Sequence, residues 1–238
     1  MMENRKMLTV TSSWDDNSTE NLRLAELLHQ YEIKGTFYIC ADYDKFNHFN
    51  QIRKDVFKIA RKGFEIGSHS LTHPDLTKTS KLYDEVYLSK IKLESYLGFR
   101  INCFSYPYGK YNLRVKRAVK KAGYQFARTI NYMNISSTLK DPYICGVTVM
   151  VPFRFGLKNI LSFKVSPLNV LKWEKIAISI FNKMLKHGGI FHFWGHAWSI
   201  EKHKQWKKIE KFVAYVSGRK NVEYLNNFEA WNKCLSKV

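Results

Sequence analysis

LTVTSSWDDNSTENLRLAELLHQYEIKGTFYIC, Leu8 to Cys40, decides the fold class of this chain. Its opening run, Leu8 to Ser13, is short and β-rich, and so is its closing run, Gly35 to Cys40. Between them, Thr19 to Tyr31 carries Leu22, Leu24, Leu27 and Leu28 in an amphipathic helical pattern. Strand, helix and strand in that order predict parallel neighbours joined by a crossover helix. The alternation continues outward. Further strands are predicted at Phe64 to Gly67, Cys103 to Tyr106, Gln125 to Thr129, Val147 to Val151, Gly189 to Trp194 and Val222 to Leu225. Further helices are predicted at Arg53 to Lys62, Ser80 to Leu97, Leu113 to Ala122, Leu168 to Lys186 and Lys202 to Val216. An α/β fold with a mainly parallel sheet follows, closed or open, and eight strands is a barrel-like number. Asn131 to Pro142 is the least patterned stretch and reads as a long functional loop.

The 238 residues, 45% hydrophobic and 15% aromatic, can bury a sizeable core, and one domain over residues 1–238 is the expectation. No apolar run is long enough to span a bilayer, and the start runs into Leu8 without a leader-like stretch, so a cytoplasmic location is expected. Cys40, Cys103, Cys145 and Cys234 are scattered, which argues against a zinc ribbon or a disulfide framework and for buried thiols. A formal charge of +19 fits an anionic partner: nucleic acid, a membrane surface or a phosphate-bearing sugar. The lysines are spread over most predicted helices, however, and no zinc finger, helix-turn-helix or RNP-like signature is present, so nucleic acid is not expected.

In a βα barrel the chemistry sits at the C-terminal ends of the strands. Four clusters of reactive residue types fall there: Asp15 and Asp16 after strand one, His69 and His73 after strand three, Tyr106-Pro107-Tyr108 after strand four, and His192 to His196 at the end of strand seven. Adjacent carboxylates raise each other's pKa unless a cation intervenes, although one Asp would also serve as a helix cap. His69 and His73 would stand roughly 13 Å apart on an extended strand but converge on one ion if the backbone curls. Pro74 pushes His73 out of the α region, which makes the segment a loop or a single turn. With one carboxylate, the two histidines make the three-ligand open set of a catalytic zinc-like centre. His192 lies inside an apolar strand and reads as a core or pocket histidine; His196, past the strand end, is the better general acid.

These residues resemble the motifs of the polysaccharide deacetylases, the NodB-homology or carbohydrate esterase family 4 group. Trp14-Asp15-Asp16 looks like the first motif, His69 to His73 the second, and Phe104-Ser-Tyr-Pro-Tyr-Gly109 the third, Arg-x-Pro-Tyr. The resemblance runs from about Thr9 to Trp198. It implies a distorted seven- or eight-stranded (β/α) barrel and metal-dependent hydrolysis of an N-acetyl group on a sugar. Asp16, His69 and His73 would hold one divalent metal ion, zinc first and cobalt, nickel or manganese also suited. Asp15 would be the base and Tyr108 an oxyanion and acetate contact.

The chain departs from the pattern in three places. Ser105 stands where the third motif has an arginine, and Arg128, at the end of the next strand, is the candidate replacement. No Asp-Trp fourth motif is visible, so the acid's carboxylate partner is unassigned, with Glu201 a distant candidate. The fifth motif reads His-Phe-Trp-Gly-His, which leaves both His192 and His196 as candidate acids. Tyr106, Pro107, Tyr108, Trp194 and Trp198 are the candidate substrate contacts. The expected substrate is an N-acetylated sugar, nucleotide- or lipid-diphosphate-linked, with peripheral contact to an anionic membrane as a further expectation. The alternatives are a deformylase or other linear or cyclic amide hydrolase on the same scaffold, and a glycan-binding relative without turnover.

Overall fold

The computed structural model describes residues 7–42, 49–132, 139–152 and 173–235. Eight strands form one sheet: β1 (Leu8–Asp15), β2 (Gly35–Ile39), β3 (Glu65–Ser68), β4 (Cys103–Ser105), β5 (Phe126–Arg128), β6 (Val149–Met150), β7 (Gly189–Gly195) and β8 (Val222–Tyr224). Every ladder is parallel, in the order β5-β4-β3-β2-β1-β7-β6, with β8 alongside β1. β1 is the centre. β7 pairs with it from Leu8 to Trp14, while its other edge is shared, Leu8–Val10 with β8 and Ser12–Asp15 with β2.

The sheet curls into the expected distorted barrel. The extended segment before β6 bonds to β5 on one side, with Cys145 N–H donating to the Ala127 carbonyl and Thr129 N–H to that of Cys145. It then bonds to β7 on the other, with Thr148 N–H donating to the His192 carbonyl. The two ends of the strand order thus meet through residues 145–151.

The helices are α1 (Asn21–Gln30), α2 (Phe49–Arg61), α3 (Leu82–Leu97), α4 (Leu113–Lys121), α5 (Trp173–His187), α6 (Ala197–Lys202), α7 (Trp206–Val216) and α8 (Asn227–Leu235). Some differ from the sequence expectation. The helix predicted at Lys202 to Val216 begins only at Trp206, as α7, because the chain breaks at His203–Gln205, where Lys204 takes a left-handed φ of 53°, and the short α6 before the break was not predicted. α8 has no predicted counterpart. Its Asn227 is buried inside the barrel, where the side chain donates to Thr11 Oγ1 and the Ser12 carbonyl and accepts from Tyr38 Oη. The loop predicted at Asn131 to Pro142 and the helix predicted from Leu168 lie partly outside the described residues, at 133–138 and 168–172.

Candidate metal centre and active site

β1 ends at Asp15, and the chain turns at once. Asp16 takes a φ of 74°, a conformation Asp tolerates better than most residues, and its carbonyl accepts from the Asn21 side chain at the start of α1. Neither acid caps α1: its N-cap is Glu20, without a side-chain cap. The turn leaves the two carboxylates on different partners.

After β3 the backbone is left-handed at Ser70 (69°) and again at His73 (61°), so the two histidines fold back on each other. Their Nε2 atoms are 3.2 Å apart, where an extended chain would separate the residues by roughly 13 Å. Ser70 Oγ accepts from the His73 N–H and stiffens the turn. Asp16 Oδ1 is 3.8 Å from His69 Nε2 and 3.4 Å from His73 Nε2, and one donor atom from each of the three residues lies within 4.8 Å of the others. His69 Nδ1 is 2.8 Å from the Ser105 carbonyl, which can only accept, so Nδ1 donates there and Nε2 is the nitrogen turned toward the group. Burial and the neighbouring His69 hold the His73 pKa down to about 4 against the pull of Asp16 and Asp15, so His73 is neutral at pH 7. Two imidazole nitrogens and a carboxylate oxygen converging on one point fit one divalent cation.

The residue that holds this loop escaped the sequence reading. Glu85, on the buried side of α3, accepts from the Leu71 N–H (3.1 Å), the Thr72 N–H (2.9 Å) and Thr72 Oγ1 (2.6 Å). One carboxylate thereby gathers three donors of the segment between the histidines. A buried Glu among the apolar positions of a predicted helix was the available signal, since such a group needs partners.

Asp15 sits beside this candidate metal group and is buried. Its Oδ2 pairs with Arg128 and lies 3.9 Å from His69 Nε2. Its Oδ1 has no hydrogen-bond partner. Burial pushes its pKa up, but Arg128, His69 and His196 outweigh it and hold the group below the usual carboxylate value, so it is ionised. The same Arg128 nitrogen donates to Ser105 Oγ at 2.6 Å. Ser105 and Arg128 are directly paired residues of β4 and β5, about 4.8 Å apart across the sheet. A guanidinium on the next strand therefore reaches Asp15, and the small side chain at 105 accepts a hydrogen bond from it. Its plane also lies over Trp194, with Cζ 4.8 Å from the ring centroid.

On the β7 side the two candidate acids separate. His196 Nε2 is 3.8 Å from Asp16 Oδ2, at the mouth of the group. Burial lowers its pKa while Asp15 and Asp16 pull it back up. His192 is in the barrel interior, 2.8 Å from Ser13 Oγ, and burial with the nearby Arg128 holds its pKa at about 3. Its buried position fits the core reading of His192 better than the catalytic one. Trp198 closes the group from α6: its indole N–H donates to Asp16 Oδ2 at 3.0 Å, and its ring is 5.1 Å from that of His196. Glu201 pairs with Arg23 and accepts from Trp206 Nε1 on the surface.

The Tyr106-Pro107-Tyr108 cluster also divides. Pro107 opens a single 3-10 turn and is buried, and Tyr108, at φ 57°, swings its ring out to 58% exposure against His73, 4.6 Å between centroids. Tyr106 is corrected from a substrate contact to a core residue: it is 1% exposed, stacks on Tyr111 and donates its hydroxyl to the Tyr143 carbonyl. Asp16, Ser70, His73 and Tyr108, none of them glycine, hold left-handed backbone around one point, which is where strain collects at functional sites.

A family model described as polysaccharide deacetylase matches residues 3–127, 125 of the 238 residues. A peptidoglycan-N-acetylglucosamine deacetylase of Bacillus cereus is 27% identical over 124 residues, 51% of this chain and 55% of that protein. The match covers only 32% and 44% of the length of two Bacillus subtilis relatives, YlxY and YxkH. Among solved structures, a Mycobacterium smegmatis protein assigned to the polysaccharide deacetylases superimposes with a TM-score of 0.73 at 14% identity, over 100% of this chain and 93% of that one. The chitin deacetylase of the fungal pathogen Colletotrichum lindemuthianum gives 0.63 at 13%, over 94% and 88%. At these identities the structural likeness is one of fold.

Proposed function

The chain belongs to the polysaccharide deacetylase family, and from that premise we propose that it hydrolyses the N-acetyl group of an acetylated sugar or glycan intermediate. The observation that carries this reading is the convergence of Asp16, His69 and His73 beside an ionised, buried Asp15. Asp16 Oδ1 and the Nε2 atoms of the two histidines would hold a divalent cation, zinc being the first candidate. When bound, such an ion polarises an amide carbonyl and acidifies a water.

The remaining roles belong to the chain. Asp15, with Oδ2 fixed by Arg128 and Oδ1 unengaged, takes a proton from the water whose oxygen attacks the acetyl carbon. Arg128 is a positioning residue, because it reaches the reaction only through Asp15. The sugar nitrogen cannot leave as an amide anion, so the C–N bond breaks as His196 delivers a proton to it, and acetate and the amine result. Tyr108 and Trp198, exposed beside His73 and His196, flank the entrance where the sugar must lie. Their side chains offer flat faces to pyranose rings.

The test is to incubate metal-loaded and chelated protein with polymeric, nucleotide-linked and lipid-linked N-acetyl sugars and to assay free acetate. Metal-dependent acetate release supports the reading and names the substrate class. Formate from N-formyl analogues with no acetate from any acetylated sugar would replace it with an amide hydrolase of another specificity.

A further inference from the structure

We propose that the outer face of α3, flanked by α2 and α4, docks the protein on an anionic lipid surface. Eleven large hydrophobic side chains are exposed among the described residues. Three of them, Tyr108, Tyr132 and Trp198, belong to the rim around the active site, and Met7 precedes β1. The other seven all fall between Phe57 and Leu113. Four are on α3, where Tyr83, Tyr87, Leu88 and Ile91 are each 38% to 42% exposed. Residues 83, 87 and 91 follow one another at four-residue steps, so they form one stripe along the helix.

α3 is not apolar on its buried side alone: Leu82, Val86, Leu93 and Leu97 face the core, yet Tyr83, Tyr87, Leu88 and Ile91 stand outside beside Asp84, Lys92 and Ser95. Its buried side also includes Glu85 and Ser89, whose polar atoms serve the histidine loop and the Ser68–Tyr124 network, while its outer side carries an aromatic and aliphatic stripe. Polar groups inside have partners; the apolar stripe outside has water. Phe57 of α2 and Leu113 of α4 extend the apolar character to either side.

Charge decides what covers this face. α4 has five lysines and arginines and no acid, and α2 adds exposed Lys54, Lys58 and Arg61. Across the described residues of the three helices Asp84 is the one exposed acid. Lys121 Nζ lies 5.0 Å over the Tyr83 ring, so cations stand within a Debye length of the stripe. A second copy of the same face would bring like charges together, which disfavours a symmetric dimer here. Nucleic acid would answer the cations but leave Leu88 and Ile91 without partners. A lipid surface answers both, since headgroup phosphates meet the lysines while Tyr, Leu and Ile enter the boundary with the acyl chains. No described helix is long and apolar enough to cross a membrane, so the contact is peripheral.

The experiment is co-sedimentation of the full chain with vesicles of phosphatidylcholine alone and of phosphatidylcholine with phosphatidylglycerol, at low and high salt. Binding is expected on the anionic vesicles only, weakening with salt. It should fall by roughly tenfold or more in Lys120→Glu/Lys121→Glu and in Tyr87→Ser/Leu88→Ser/Ile91→Ser, each with an unchanged melting temperature. No binding to anionic vesicles overturns the proposal. So does equal binding by both variants, or a dimer in light scattering that the triple variant dissolves. Competition by tRNA that removes wild-type binding while the serine variant still holds tRNA equally well would assign the face to nucleic acid instead. Because these readouts use neither metal nor acetate, failure here is separable from failure of the deacetylase reading.

Discussion

On the β1–β3 side of the rim, the cation-facing groups come from two short stretches, Asp15-Asp16 and His69 to His73. Each is shaped by left-handed residues within the stretch itself. On the β5–β7 side, Arg128 and His196 come from distant parts of the chain, and each acts on a group supplied by β1. The first arrangement is mainly local: spacing and turn geometry bring the histidines together, and Glu85 of α3 holds the loop between them. The second is relational, because Arg128 matters only through its register with Ser105 and its reach to Asp15. A local site tolerates little change in residue identity, whereas a relational one can be supplied from a neighbouring strand at the same level.

That difference can be broken experimentally, beginning with its most sensitive point. His69→Ala should remove the metal as well as activity, with acetate release down about 10³-fold or more and metal content by elemental analysis falling with it. If metal stays at full occupancy, the three-residue group is not the site. His196→Ala should lower kcat by about 10²–10⁴-fold with metal retained, while His192→Gln should leave kcat nearly intact. Comparable losses in both would return His192 to the chemistry.

Arg128→Ala should cost about 10–100-fold in activity with metal retained. It also leaves a buried Asp15 charge unpaired, a destabilisation of about 3–5 kcal/mol by chemical denaturation. With burial no longer opposed by the guanidinium, the Asp15 pKa rises, and the ascending limb of the pH–rate profile moves to higher pH. An unmoved limb would mean that Arg128 does not tune the base. Glu85→Gln, which keeps an acceptor but loses the charge, should weaken metal affinity by about tenfold. The kcat at saturating metal should be near wild type, as read by titration calorimetry and turnover on one preparation.

A further effect, on stability alone, belongs to His192. Its folded pKa of about 3 lies below the ordinary value of 6.5, so the unfolded chain binds the extra proton first as the medium acidifies. Its contribution to stability is complete above about pH 6.5 and is lost as pH falls toward 3. The melting temperature should therefore drop less steeply between pH 7 and 4 in His192→Gln than in the wild type. Parallel profiles would show that the residue does not carry the acid sensitivity.

The same local-versus-relational divide governed what the sequence disclosed. All eight strands lie where β-rich runs predicted them, because buried parallel strands are short, apolar and bounded by turn residues. Asp16, His69 and His73 were legible for the reason given above. Arg128 was legible only after Ser105 was seen to lack a guanidinium, and Glu85 was not, because its three donors come from a segment that precedes it by a whole loop. Tyr106 and Tyr108 share one Tyr-Pro-Tyr, and only the left-handed turn at Tyr108 separates core from rim. α8 stayed hidden because its reason for existing is Asn227 reaching Thr11, Ser12 and Tyr38, partners some two hundred residues away in the chain.

Trp198 has an optical consequence. Its indole N–H is bonded to one oxygen of Asp16 while the other oxygen faces the histidines, so any change in the charge on that carboxylate is felt one hydrogen bond away by a half-exposed fluorophore. With a cation held by that group, the chain would carry its own emission probe for loading. The part of the tryptophan signal that responds to added zinc and disappears in Trp198→Phe would report occupancy without label, chelating dye or substrate.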